Sequence, residues 1–358
     1  MLYREAGDFK TSYASDNQTF PIRFDRYAYW VVLLLAVCVV PFFLNDYWTK
    51  SIIVPFLIYV IAALGLNILI GYCGQLSLGT GAFMAVGAYA TFKLTVMAPG
   101  LNVFVVFILA GLVTAAVGVL FGLPSLKIKG FYLAVATLAA QFFLIWLFTR
   151  QGWFFNYSPT GMITMPVRTV LGFAVTGPSA SAAAIYMTCL FFVIVMAWLA
   201  RNLTRGTTGR SWMAIRDMDI AAEIIGVNPL IAKLTAFAVS SFFVGVAGAL
   251  LFGVQLGAAE AGEAFGINKS FLVLFMVIIG GLGSIMGSFL GAAFLVVLPV
   301  ILKVLLVDSL GWPSDLARHL EVMIIGALIV LVLILEPHGM AALWRTIKDK
   351  LRLWPFPH

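Results

Sequence analysis

Runs of about 20 mostly apolar residues, each enough to cross a hydrocarbon layer roughly 30 Å thick, recur along nearly the whole of this chain. They fall at roughly 28–45, 52–71, 77–97, 102–122, 131–148, 180–200, 231–256, 269–283, 286–306 and 319–336. Within lipid no water reaches a backbone amide, so each run must satisfy its own hydrogen bonds, and a helix does so. Charged residues make up 10% of the 358 positions, well below the roughly one quarter usual in soluble domains, and no soluble domain can be separated. The expected fold is all-α, a polytopic transmembrane helix bundle of about ten spans with a short cytoplasmic helix. A polar arm, 1–27, precedes the transmembrane domain 28–336, and a basic tail, 337–358, follows it. No small-residue cleavage site follows Val31 to Val40, so the first run is expected to be retained as a span.

Basic residues set orientation. With the N-terminus inside, inner segments hold Arg4, Lys10, Arg23, Arg26, Lys127, Lys129, Arg201, Arg205, Arg210, Arg216, Lys233, Arg345, Lys348, Lys350 and Arg352, which is 15 of the 22. The other seven, Lys50, Lys93, Arg150, Arg168, Lys269, Lys303 and Arg318, fall on outer segments or outer span ends. The outer loop Gly257 to Gly266 carries Glu260 and Glu263 and no basic residue. An odd span count would leave a basic end outside, so ten spans with both termini cytoplasmic is the consistent solution. The net charge of +7 is scattered over short loops in this manner, and no nucleic-acid partner is expected. Cys38, Cys73 and Cys189 lie in or beside apolar runs and imply no disulfide framework.

One segment breaks the pattern. From Arg201 to Lys233 the chain is basic and polar, with an expected amphipathic helix from Ser211 to Gly226 that carries Ala214, Ile215, Ala222, Ile224 and Ile225 among polar neighbours. Residence in the bilayer does not require such a helix, whereas a push from a soluble motor does. The chain itself has no G-x-x-x-x-G-K-[ST] phosphate loop and is not expected to hydrolyse ATP. Three scattered histidines, His319, His338 and His358, suggest no metal site, and no catalytic constellation is visible. Ion-coupled carriers usually place carboxylates or histidines within their spans. Here Glu321 and Lys303 lie near span ends, where snorkelling accounts for them. Energy for transport would therefore enter from outside the chain; a stand-alone carrier or channel is the alternative.

The most ordered motif runs from Asn67 to Tyr89, with Gly71, Gly74, Gln75, Ser77, Gly79, Thr80 and Gly81. Small residues at 77, 81, 85 and 88 share a helical face that permits close packing. A helix broken near Gly79 to Gly81 would also leave unpaired amides facing a solute path, with Gln75, Ser77 and Thr80 adding neutral hydrogen bonds. Thr137 and Gln141, four apart, share a face and suit either interhelical bonding or pore lining. Gly280, Gly283, Gly287 and Gly291 read as helix-packing positions, and Gly280 to Gly283 as either a hairpin or a re-entrant break. The outer connection Thr149 to Ala180 holds Trp153, Phe154, Phe155 and Tyr157, an interfacial belt or a docking surface.

Five stretches together resemble the membrane permeases of high-affinity branched-chain amino acid ABC importers, of the LivM type. They are NILIGYCGQLSLGTGAFMAVGAYA from Asn67, GFYLAVATLAAQ from Gly130, GRSWMAIRDMDIAAEIIGVNP from Gly209, KLTAFAVSSFFVGVAGAL from Lys233 and SFLVLFMVIIGGLGSIMGSFLGAAFLVVLP from Ser270. The resemblance spans roughly residues 50 to 305. It implies a bacterial inner-membrane importer with a second, LivH-type permease, two ATPases that hold ATP and Mg, and a periplasmic binding protein. By that likeness the ATPase-coupling residues are Arg210, Ala214, Arg216, Asp219, Ala222, Glu223, Gly226 and Asn228, and this chain binds no cofactor of its own. Related permeases carry urea, short amides or aromatic acids. Two departures are the polar arm and the turn Asn156 to Ile163, where many relatives have a glycine- and asparagine-rich sequence.

Overall fold

The computed structural model describes residues 11–12, 23–43, 45–125, 131–170, 172–177, 180–336 and 338–353. Most of the arm 1–27, Lys127, Lys129 and the last residues of the tail lie outside them. Thirteen helices of six residues or more carry the described chain: α1 (Arg23–Leu34), α2 (Asp46–Tyr72), α3 (Thr80–Met97), α4 (Val103–Ser125), α5 (Phe131–Arg150), α6 (Ala182–Arg205), α7 (Thr207–Asp217), α8 (Asp219–Ile224), α9 (Pro229–Leu256), α10 (Ile267–Gly280), α11 (Ile285–Ser309), α12 (Ser314–Leu335) and α13 (Met340–Leu353). Among the described residues seven stretches are long and apolar enough to span a membrane: α2, α4, α5, α6, α9, α11 and Ala261–Gly280, which ends in α10. The other three expected spans fall on α1, α3 and α12, and the shorter apolar helix Arg26–Phe42 begins within α1. The protein is a multi-pass membrane protein.

α2 and α9 form the centre, with most of their side chains buried. Glycine sets how close the helices come. A Cβ on Gly248 would sit 2.0 Å from Met84 O, and one on Gly87 would sit 2.1 Å from Gly245 O, so α3 and α9 cross with backbones in contact. Between membrane helices no hydrophobic drive exists, and such close van der Waals approach supplies the cohesion instead. Outward faces carry Leu112, Leu120, Phe142, Trp198 and Val330, as contact with hydrocarbon requires.

The connections gather at two ends. At one, the two-residue strands β1 (Ile163–Thr164) and β4 (Ala258–Ala259) pair antiparallel, beside a second pair, β2 (Thr169–Val170) with β3 (Phe173–Ala174). Met165 N donates to Gly257 O at 2.7 Å, which continues the first ladder. Arg168 donates to Thr95 O at 2.8 Å and to Pro99 O, taking carbonyls at the end of α3. Lys93 Nζ bonds Asn156 Oδ1 and lies 4.1 Å from the Trp153 ring centre. The outer loops are thereby tied into one cap. At the opposite end meet residues 71–79, the segment around α7 and α8, the turn 281–284 and the start of α13. A Cβ on Gly339 would fall 2.5 Å from Gly281 Cα. Connections that the charge count assigned to one side thus do share one end.

One expectation about local structure is corrected, and one open alternative is decided. The single helix from Ser211 to Gly226 is two, α7 and α8, because Met218 is extended (φ −156°, ψ 102°). The alternatives at Gly280 to Gly287 resolve to a hairpin: Gly281 (φ 114°) and Gly283 (φ 73°) turn the chain between α10 and α11. A Cβ at Gly291 would lie 1.8 Å from Met276 O and one at Gly280 2.0 Å from Gly287 O, while Gly283 sits in the turn itself.

Candidate functional site

α7 is anchored from within. Trp212 is fully buried and its Nε1 donates to Thr235 Oγ1 on α9 at 3.1 Å; Ile215 is buried beside it. Ala214 is half-buried and Arg210 exposed. α8 then turns a different face outward. Ala222 is buried, while Met218, Ile220, Ile224 and Ile225 are exposed, Ile224 by 81%, with exposed Glu223 among them. Gly226 ends α8 with φ 93°: Val227 N reaches Ala222 O at 2.9 Å and Gly226 N reaches Glu223 O at 3.0 Å, the paired bonds of a left-handed helix stop. Asn228 caps α9, accepting from Leu230 N and Ile231 N at 3.0 and 3.3 Å, with Pro229 in the first turn. Asp219 faces Lys233 at 3.9 Å. Between this segment and the chain after α2 lies a cavity of about 660 Å³, lined among others by Gly74, Gln75, Leu133, Arg216, Asp219 and Lys233.

The chain that leads into α3, from Cys73 to Leu76, lines that cavity. The helix breaks where the glycines stand, but the expectation of unpaired amides there is corrected. Leu78 N donates to Thr137 Oγ1 (2.9 Å), Gly81 N to Ser270 Oγ (2.8 Å) and Ala82 N to Gln141 Oε1 (2.6 Å). Gln141 is used three times, since it also accepts from Ser270 Oγ at 2.9 Å and donates to Phe265 O at 3.0 Å. Two helices beyond α3 therefore supply the caps its own sequence lacks, because Gly79 at the N-cap position has no side chain to offer. Ser77 Oγ approaches Gly79 N at 3.4 Å. Gln75 Oε1 and Thr80 Oγ1 are buried without a hydrogen-bond partner. A Cβ on Gly79 or Gly81 would lie 2.8 Å from Thr137 O or Phe265 O.

Sequence reasoning placed Thr137 and Gln141 on one face and missed Ser270, which follows Asn268 and Lys269 at the start of its helix. It also passed over Asn67. That side chain is 1% exposed, donates to Ser284 O (2.8 Å) and Ser288 Oγ (2.9 Å), and accepts from Gly283 N (2.9 Å), binding α2 to the α10–α11 hairpin. Its signal was a lone amide side chain in an apolar run, where every polar group needs partners. Among the described residues no group of three or more metal-donating side chains comes together.

Residues 49–333 match the family described as branched-chain amino acid transport system, permease component. The chain is 32% identical over 335 residues to the high-affinity branched-chain amino acid transport system permease protein LivM of Salmonella typhimurium, covering 88% of this chain and 75% of the relative. Its likeness to the Escherichia coli LivM has the same identity and coverage. With the probable branched-chain amino acid transport permease protein LivM of Methanocaldococcus jannaschii the identity is 24%, over 81% of this chain and 92% of that one. No solved structure matches.

Proposed function

Because the chain belongs to the family of branched-chain amino acid transport system permease components, we propose that it is one of two membrane subunits of an ATP-driven importer of branched-chain amino acids. The observation that carries this reading is the exposed apolar patch Met218, Ile220, Ile224 and Ile225 on α8. It stands on a polar, basic connection, and in this reading another protein covers it. In this reading that protein is one of two ATPase subunits, which hold ATP and Mg, and the end bearing α8 faces the cytoplasm of a bacterial inner membrane, with both chain termini. The basic residues of the segment agree with that orientation.

A binding protein delivers solute to the outer cap, and solute passes between this chain and a second, related permease. The seam of Gln75, Ser77, Gly79, Thr80, Gly81, Thr137 and Gln141 lies along the route, and its capped amides are donors that a solute carboxylate exchanges with. ATP drives transport only if the motors bind the outward and inward states of the bundle unequally. Glu223→Arg, at the centre of the patch, tests the reading. Uptake of labelled leucine into cells is expected to vanish while membrane insertion persists; unchanged uptake refutes the motor contact. Competition by isoleucine and valine, but not urea, tests the solute.

A further inference from the structure

The proposed motor contact leaves open how displacement of α7 and α8 reaches the membrane helices. Arg216, the penultimate residue of α7, is partly exposed but turns its guanidinium back toward the chain at the end of α2. Its Nη1 donates to Gly71 O at 2.8 Å, while its Nε donates to Asp217 Oδ1 at 2.9 Å and its Nη2 lies 2.9 Å from the same oxygen, which holds the guanidinium in place. Gly71 O is available because α2 ends in a π-helical turn. In a regular α-helix the amide of Gln75 would take it, but here Gln75 N donates to Leu69 O at 3.0 Å and Gly74 N to Ile70 O at 3.1 Å. Gly74, with φ 72°, brings the backbone against the same arginine: a Cβ there would lie 3.0 Å from Arg216 Cγ.

Beyond Gly71 the contact continues without a gap. A Cβ on Gly71 would meet Gly283 N at 2.2 Å and Asn67 Oδ1 at 2.1 Å, and Asn67 bonds Gly283, Ser284 and Ser288 of the hairpin. One guanidinium therefore joins the motor-facing segment to the break between α2 and α3 and, one residue further, to the α10–α11 turn.

We propose that Arg216 is the positioning residue that passes movement of the coupling segment to the α2–α3 break through the Gly71 carbonyl. The inference rests on the reading of α8 as the motor contact. A donor at that reach is required and a charge on the outer surface is not. The test uses the complete importer, co-purified with its second permease and ATPases and reconstituted in liposomes, scoring leucine moved per ATP hydrolysed. Arg216→Gln, polar but too short to reach Gly71 O, is expected to keep the ATPases bound and hydrolysing while the ratio falls about tenfold, the scale of one charge-assisted hydrogen bond. Arg216→Lys, which keeps a donor of similar reach, is expected to hold most of the ratio.

A wild-type ratio in Arg216→Gln overturns the inference, as do equal losses in Gln and Lys. Release of the ATPases from the Gln variant would make Arg216 a docking residue, and failure of that variant to insert would make it a folding residue; either result overturns the proposal. If the wild-type chain recovers no ATPase at all, it is the motor contact itself that fails.

Discussion

Gly248 and Gly326 are both helical glycines with opposite surroundings. A side chain at Gly248 would run into the Met84 backbone, whereas Gly326 faces open space. Gly248→Val must spread α3 from α9 and is expected to cost about 3 kcal/mol, the upper range for overpacking; Gly326→Val is expected to stay within about 0.5 kcal/mol. Thermal unfolding of the detergent-solubilised protein compares them. Cys73 offers a second check. It is 2% exposed beside the cavity under α8, and burial pushes its thiol up to about 12, against a smaller opposing effect of Lys233. Thiolate is the reactive form, so at pH 8 the thiol stays neutral and maleimide labelling is expected to be slow, with exposed Cys38 replaced by Ser to isolate the signal. Rapid labelling at pH 8 would show the site open at rest. Residues of this kind were only half legible in the sequence. Small-residue spacing marked Gly280, Gly287 and Gly291, but Gly245 and Gly248 did not stand out, because which glycine meets a backbone depends on where helices cross.

Helices were the most legible level, since about 20 apolar residues in lipid have few alternatives to helix. What hydropathy could not show was the interruption at Met218. No glycine or proline marks it; the turn comes from buried Trp212 and Ile215 on one side and buried Ala222 on the other, which anchor α7 and α8 separately. The consequence is that α8 takes a direction of its own, and Ile220 and Ile224, four apart and so on one face of it, both point outward. Ile224→Asp is expected to weaken ATPase binding at least tenfold, since burying one isoleucine is worth about 1.5–3 kcal/mol, with insertion unaffected. Pull-down of the ATPase across a concentration series measures it. Equal capture by the variant would show that the patch is covered by something else. The starts of α3 and α9 contrast usefully. Asn228 and Pro229 announce the α9 cap locally, whereas the caps of α3 come from Thr137, Gln141 and Ser270, two of them 59 residues away and the third 189.

At the scale of the molecule, charge parity predicted which connections share an end, and contacts across the bundle agree: Gly71 with Arg216, Gly283 with Asn67, Gly281 with Gly339, and Met165 with Gly257 at the far side. Pairing between the outer loops was not legible, because strands of two residues carry no pattern. Thr164 and Ala258 face each other in that ladder, at a position flanked by hydrogen-bonded pairs where side chains come close. Thr164→Cys with Ala258→Cys is expected to form a disulfide on oxidation and to reduce leucine uptake several-fold, with recovery on reduction. Full uptake with the bond closed would mean that the two loops travel together through the cycle. The bare isoleucines of α8 also bear on how many copies a cell can hold. If α8 is the motor contact proposed above, a subunit made in excess of its ATPases presents a greasy knob to the aqueous phase, the feature by which chaperones and proteases single out clients. Surplus chain thus advertises its own solitude, and stoichiometry can be policed without any dedicated sensor.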